Sequence, residues 1–286
     1  MFIPMLPEVY DEPFNDGEYI FEPKIDGHRL IYSHLNRTTR LYSRFNQDIT
    51  RLYPELYHLA VDEDIVLDGE VAAVNAATGL IDYECVEERL RLRNRREIIR
   101  RSERHPVNYI VFDILYYKGR DLRGSPLMKR REILNGIDLG NRHIGKIPFI
   151  EADGCRMFEE IRNRRMEGIV AKNKDSLYEG RHSEHWLKID HCQEGEFYLT
   201  GYRKDQSGFL VSLPDKKQGL RQVGVVSEGI DPIQKLTPLT VCKPLEMHED
   251  NRNVYIKPYI RMKLKYLHYW KEGILRSPRL ISIIHS

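Results

Sequence analysis

Along the first 190 residues, short apolar runs alternate with amphipathic ones, and the two periods separate strands from helices. Tyr19-Ile20-Phe21, Leu30-Ile31-Tyr32, Ile65-Val66-Leu67 leading into Glu70-Val71-Ala72, and Tyr109-Ile110-Val111-Phe112 are β-favouring runs. Glu87 to Arg104 carries Leu90, Leu92, Ile98 and Ile99 on an otherwise charged surface, which predicts a helix. Ser125-Pro126 before Leu127-Met128-Lys129-Arg130-Arg131 predicts a capped helix start, and Met157 to Met166 a further helix. Past His191 the helical pattern thins. Phe197-Tyr198-Leu199-Thr200, Phe209-Leu210-Val211-Ser212-Leu213, Val223-Gly224-Val225-Val226 and Val254-Tyr255-Ile256 are short β-type runs separated by Gly, Asp and Pro, as in a small barrel. The expected fold class is α+β: a mixed domain over residues 1–191, then a β-barrel domain over 192–286.

Between the first two strong β runs the chain reads Lys24-Ile25-Asp26-Gly27-His28-Arg29. A lysine, a turn glycine and an arginine at a strand end make a cradle for a nucleotide phosphate. The same letters also suit a plain β-hairpin in which Asp26-Gly27 turns and Lys24 and Arg29 are solvated. The rest of the chain has to choose between these readings.

Composition narrows the field. A chain of 286 residues with 41% hydrophobic and 31% charged residues can bury a sizeable core, and its length suits two domains. No apolar stretch approaches the roughly 20 residues that span a bilayer. The N-terminus has no basic leader, long apolar core or cleavage site, which predicts a cytoplasmic protein. Cys85, Cys155, Cys192 and Cys242 form no C-x-x-C pair, so free thiols are expected. His182, His185, His191 and Cys192 lie close in sequence, but their spacing fits no usual zinc pattern.

The net charge of +2 neither demands nor excludes nucleic acid, so the distribution of charge matters more. Two basic regions stand out. One is Glu87 to Arg104. The other carries Lys257, Arg261, Lys263, Lys265, Lys271, Arg276 and Arg279 interleaved with Tyr255, Tyr259, Tyr266, Tyr269 and Trp270, a pattern that favours a nucleic-acid surface.

Further motifs follow the lysine segment in order: Tyr42-Ser43-Arg44, Leu67-Asp68-Gly69-Glu70-Val71, Tyr109 to Leu115, Glu167-Gly168-Ile169-Val170-Ala171-Lys172, and Trp186-Leu187-Lys188. With these the chain resembles the covalent nucleotidyltransferases, most closely the compact bacterial ATP-dependent DNA ligases, over nearly its whole length. The approach from Ser176 to Lys188 resembles that of bacterial ligases and favours a ligase over an mRNA capping enzyme.

The resemblance implies a nucleotidyltransferase (ATP-grasp-like ligase) domain followed by an OB-fold domain, acting on nicked duplex DNA as a monomer with ATP and Mg²⁺, or Mn²⁺ in its place. It assigns Lys24 as the nucleophile that takes AMP from ATP. Roughly one lysine in a few thousand is neutral at pH 7, so neighbouring positive charge from Lys172, Lys188 and a metal is expected to favour the free amine. Glu70 is assigned to the ribose or the metal, and Glu167 to the metal. Phe112 would stack on the adenine and Glu22 would read its amino group. Arg29 and Arg44 would hold the nucleotide sugar and the DNA 5′-phosphate.

Gly273 to Arg279 resembles the closing family motif, in which Arg276 would orient pyrophosphate. Two departures stand out. The chain ends without the Asp-Lys pair with which the family commonly continues, which leaves Lys257 or Lys263 to take part of that role. Asp190 stands where many ligases carry a second lysine after Trp-x-Lys. Asn46 stands where a glycine is expected. The alternatives are an RNA ligase or capping-type enzyme, and a nick-binding module weakened in catalysis by Asp190.

Overall fold

Alternation at period two builds most of the molecule, and the helices fill in where it lapses. A computed structural model describes residues 2–75, 78–205, 207–217, 219–230, 242–270 and 272–284; Lys271 of the basic C-terminal stretch lies outside them. The chain divides into two units, Met1–His191 and Cys192–Ser286.

The first unit runs β1 (Leu6–Val9), β2 (Asn15–Pro23), β3 (His28–Leu35), β4 (Thr38–Ser43), β5 (Ile65–Ala72), α1 (Tyr83–Arg91) and α2 (Arg95–Arg104). It continues through β6 (Asn108–Tyr117), β7 (Arg120–Asp121), α3 (Leu127–Asn135), β8 (Ile144–Lys146), β9 (Ile150–Asp153), α4 (Gly154–Asn163), β10 (Gly168–Asn173) and β11 (His182–Asp190). Two sheets result. One has the order β1-β11-β10-β2-β9; the other has the order β4-β3-β5-β6-β7, with β8 beside β6.

Alternate side chains of each strand point to opposite faces, so each sheet feeds two apolar layers. Ile20 and Trp186 from the first sheet meet Ile31, Val66, Phe112 and Leu115 from the second, and this shared layer joins the sheets. Phe21, Ile169, Ala171 and Ile189 on the other face of the first sheet pack on Met157 and Ile161 of α4. Leu30, Tyr32, Leu67 and Val111 on the outer face of the second sheet pack with Val86 and Ile98 of α1 and α2.

The second unit is a single antiparallel sheet: β12 (Gln193–Arg203), β13 (Phe209–Asp215), β14 (Gly219–Val226), β15 (Glu246–Glu249), β16 (Asn253–Ile256), β17 (Arg261–Tyr266) and β18 (Arg279–Ile284). Its core gathers Phe197, Val211, Val223, Met262 and Leu264.

Several expectations change. Strands far outweigh helices, and among the described residues no ladder closes the second sheet into a barrel; one isolated bridge joins Glu228 to Arg279. The fold is therefore sheet-rich rather than a balanced α+β domain with a closed barrel. The expected helix from Glu87 to Arg104 is two helices, because the Asn94 side chain accepts the backbone N–H groups of Arg96 and Glu97 and starts the second one afresh. Ser125 gives α3 no side-chain cap; Pro126 is the residue that enters the helix. Part of the cationic C-terminal stretch is compensated, since Arg261 pairs with Glu196, Lys263 with Glu194 and Arg279 with Glu228. All four cysteines are free thiols.

Candidate active site

Register explains how residues far apart in sequence share one face. Strand β10 lies between β2 and β11, with Val170 opposite Glu22 on one side and Lys188 on the other. Two residues on, Lys172 lies between Ile20 and Trp186; two residues back, Gly168 lies opposite Asp190. The Lys24 backbone N–H extends the ladder by donating to the Gly168 carbonyl at 2.8 Å. Three rows therefore share the face toward the second sheet: Lys24-Gly168-Asp190, Glu22-Val170-Lys188 and Ile20-Lys172-Trp186.

Gly168 has no side chain to separate Lys24 from Asp190, and a Cβ there would come within 2.2 Å of the Ile189 carbonyl oxygen. Across the gap Lys24 Nζ lies 3.2 Å from Asp190 Oδ1 and 2.7 Å from Glu167 Oε1. Burial on its own would lower the Lys24 pKa, but Glu167 and Asp190 outweigh it and hold the pKa above the ordinary lysine value. The expected ring of cations is thus not what surrounds this amine.

Lys172 is buried and committed elsewhere. Its Nζ lies 2.6 Å from Glu22 Oε2 and within 4.1 Å of the Phe112 and 4.0 Å of the Trp186 ring centroids. Burial lowers its pKa, against the pull of Glu22. Glu22 is itself buried and has a second cation, Arg131, at 3.2 Å. Lys188 lies beside this pair in register and forms no ion pair among the described residues.

The second sheet supplies the opposite wall. Arg29 lies opposite Glu70 on β5 and makes a bidentate pair with Asp68, both contacts at 2.6 Å, with a third bond to the Met5 carbonyl at 3.0 Å. Tyr178 also donates to Asp68, at 2.5 Å. The Arg29 guanidinium lies 4.5 Å from the centroid of the Phe112 ring, so that buried ring is flanked by two cations. Stacking a nucleotide base on Phe112 would require at least one of them to shift. Burial, reinforced by Asp68 and Glu167 against Arg29 and Lys24, pushes the Glu70 carboxyl up to about 8.

Gly27 is required where the Lys24 loop passes β5, because a Cβ there would meet the Val71 carbonyl oxygen at 2.1 Å. Arg44 is exposed, has no ion pair among the described residues, and sits on a turn beside this same end of β3. Asn46 in that turn takes the left-handed φ of 58° that a glycine was expected to supply. Arg276 belongs to the second unit, where its guanidinium lies 5.0 Å from the centroid of Trp270.

Sequence reasoning brought in Lys24, Glu22, Glu70, Glu167 and Lys172 but missed Asp68, Arg131 and Tyr178 as partners. Asp68 and Tyr178 lie inside motifs already singled out, Leu67 to Val71 and Ser176 to Lys188, while Arg131 sits on a helix whose pattern gives no hint of a buried partner. No group of three or more His, Cys, Asp or Glu side chains among the described residues could hold a metal alone. Glu70 and Glu167 are hard oxygen donors, and a sparse carboxylate set suits Mg²⁺, which keeps several waters and takes further oxygens from phosphates.

Lys24 at a strand end, paired with Glu167 and Asp190 on the face toward the second sheet, is the arrangement met by the nucleotidyltransferase class to which the comparisons point. Residues 4–190 match the family model for the ATP-dependent DNA ligase domain, and the chain belongs to that family. It is 37% identical over 217 residues to the SPbeta prophage-derived DNA ligase-like protein LigB of Bacillus subtilis, covering 75% of this chain and 77% of that protein. It is 30% identical over 283 residues to the multifunctional non-homologous end joining DNA repair protein LigD of Mycobacterium tuberculosis, covering 91% of this chain but only 35% of LigD. Among solved structures, mycobacterial DNA ligase D complexed with ATP and MES superposes with a TM-score of 0.61 at 26% identity, covering 99% of this chain and 95% of that one. A Lig E DNA ligase shares the fold, with a TM-score of 0.70 at 14% identity, covering 99% of this chain and 100% of that one.

Proposed function

We propose that the protein seals nicks in duplex DNA in three steps. Lys24 Nζ, once it has lost its proton, forms a bond to the α-phosphorus of ATP as the bond to pyrophosphate breaks. AMP then passes from Lys24 to the 5′-phosphate of the nick, and the 3′-hydroxyl attacks that phosphate to close the backbone and release AMP. Glu167, the carboxylate closest to Nζ at 2.7 Å, holds the ammonium in place until its proton leaves to solvent. Glu70 and Glu167 would hold a divalent cation, whose chemistry is to offset triphosphate charge. Lys188 is the cation left to meet phosphate, Arg29 and Glu22 line the nucleotide site, and Arg44 takes the 5′-phosphate. Phe112 would stack on the adenine once its cationic cover moves.

The observation that carries this reading is Lys24 itself, at the end of β2 and in contact with Glu167 and Asp190 on one face. In the same reading the second unit is an OB-fold domain in which Arg276 bears on pyrophosphate, and the enzyme acts in the cytoplasm as a monomer. No helix among the described residues is long and apolar enough to cross a membrane. The test is intact-mass measurement after incubation with ATP and Mg²⁺, with GTP in a parallel sample. A gain of one AMP in the wild type, lost in Lys24→Ala, is expected. Absence of the adduct from a wild type that still binds nicked duplex would replace this reading with the binding module.

A further inference from the structure

Phe45 has the largest exposed fraction, 79%, among the large apolar side chains of the described residues. A single exposed aromatic is ordinarily unremarkable, but this one is held out on a rigid support. Ser43 N–H donates to the Gln47 carbonyl and Asn46 N–H to the Ser43 carbonyl, each at 2.9 Å. The Ser43 hydroxyl accepts the N–H groups of Phe45 at 3.3 Å and Gln47 at 3.2 Å. Asp48 bridges back to Tyr42, and its carboxylate takes Arg40 at 2.8 Å. These bonds pin the backbone of the turn, so Phe45 is presented from a defined position.

Position adds to this. Ser43 pairs with Leu30, two residues beyond His28, where the Lys24 loop enters β3. The turn therefore stands at the same end of the sheet as Lys24 and Glu70. The adjacent Arg44 is exposed and has no carboxylate partner among the described residues. A cation and an exposed ring, side by side on a fixed turn, match the two surfaces of a polynucleotide, the phosphate and the flat base. A protein partner would more naturally demand an apolar patch, and the residues on either side, Arg44, Asn46, Gln47 and Asp48, are polar and exposed.

Resting on the ligase reading above, we infer that Phe45 is a stacking residue for the strand that carries the 5′-phosphate, meeting the base next to that phosphate at the nick while Arg44 holds the phosphate. The experiment places 2-aminopurine at that position of a nicked duplex and titrates it with the full chain carrying Phe45, Phe45→Trp, Phe45→Leu or Phe45→Ala. Stacking predicts a fluorescence change on binding that Trp preserves and that Leu and Ala abolish. It also predicts about a tenfold weaker Kd for Ala, the scale of one base–aromatic stack. Because the side chain is exposed, melting temperatures should coincide, which separates lost stacking from lost folding.

Equal affinity and equal fluorescence change in wild type and Phe45→Ala would overturn the inference alone. A wild type that neither gains AMP on Lys24 nor binds the nicked duplex would overturn the ligase reading and this inference with it.

Discussion

At the scale of single residues the decisive feature is that Lys24, the nucleophile proposed above, is ion-paired to two carboxylates. Its two carboxylates raise its pKa against the opposing effect of burial. While both carboxylates are ionised, that pairing contributes stability that is fully present below the ordinary lysine pKa and is lost as pH rises through the raised one. For catalysis the sign is opposite, since attack needs the neutral amine. Asp190→Asn is therefore expected to speed adenylate formation at pH 7. A side chain that is one-fifth exposed discounts the effect to about two- to fivefold. The gain should vanish at pH values high enough to deprotonate the lysine anyway. Single-turnover adenylation across pH measures it, and a slower variant at every pH would show that Asp190 serves the reaction. Asp190 holds this position because it lies opposite Gly168, across which the Lys24 side chain reaches it.

At the scale of elements, the buried pair between Arg130 on α3 and Asp113 on β6 ties the helix to the second sheet. Its contacts are both 2.8 Å, with neither side chain exposed. Arg130 also donates to the carbonyls of Ser125 and Ser176, so one guanidinium links strand, helix entry and the segment before β11. Asp113→Ala would leave that cation buried and unpaired, and a loss of about 3–5 kcal/mol in unfolding free energy is expected. Urea titration measures it; a loss below about 1 kcal/mol would mean that water replaces the carboxylate. The helices themselves were legible in part. The proline start signal located α3 and the helical pattern located α4 to within three residues, whereas the break at Asn94 depends on a side-chain cap that competes with helix continuation and is weak as a pattern.

At the scale of the whole molecule, a net charge of +2 gives little general attraction to DNA, so binding must rest on local cations. In the C-terminal stretch Arg261, Lys263 and Arg279 are paired with carboxylates, while Arg93, Arg95, Arg96 and Arg104 around α1 and α2 are exposed without ion pairs among the described residues. The affinity for nicked duplex is expected to drop by more than about tenfold between roughly 50 and 200 mM salt, as release of even two counterions requires. A salt-independent Kd would contradict phosphate-backbone binding.

The sequence by itself determined the order of the motifs, the family, and the strands that carry them. Each of these is written in contiguous residues, where strand period, turn glycines and functional letters act locally. Only the tertiary structure decided which charges meet. Lys24, Glu167 and Asp190 come together through the register of three strands. Lys172 is neutralised by Glu22, and Arg29 turns to Asp68 beside Phe112. Charge partners follow distance in space, and in a sheet of non-consecutive strands that distance is fixed by long-range pairing that local pattern does not encode.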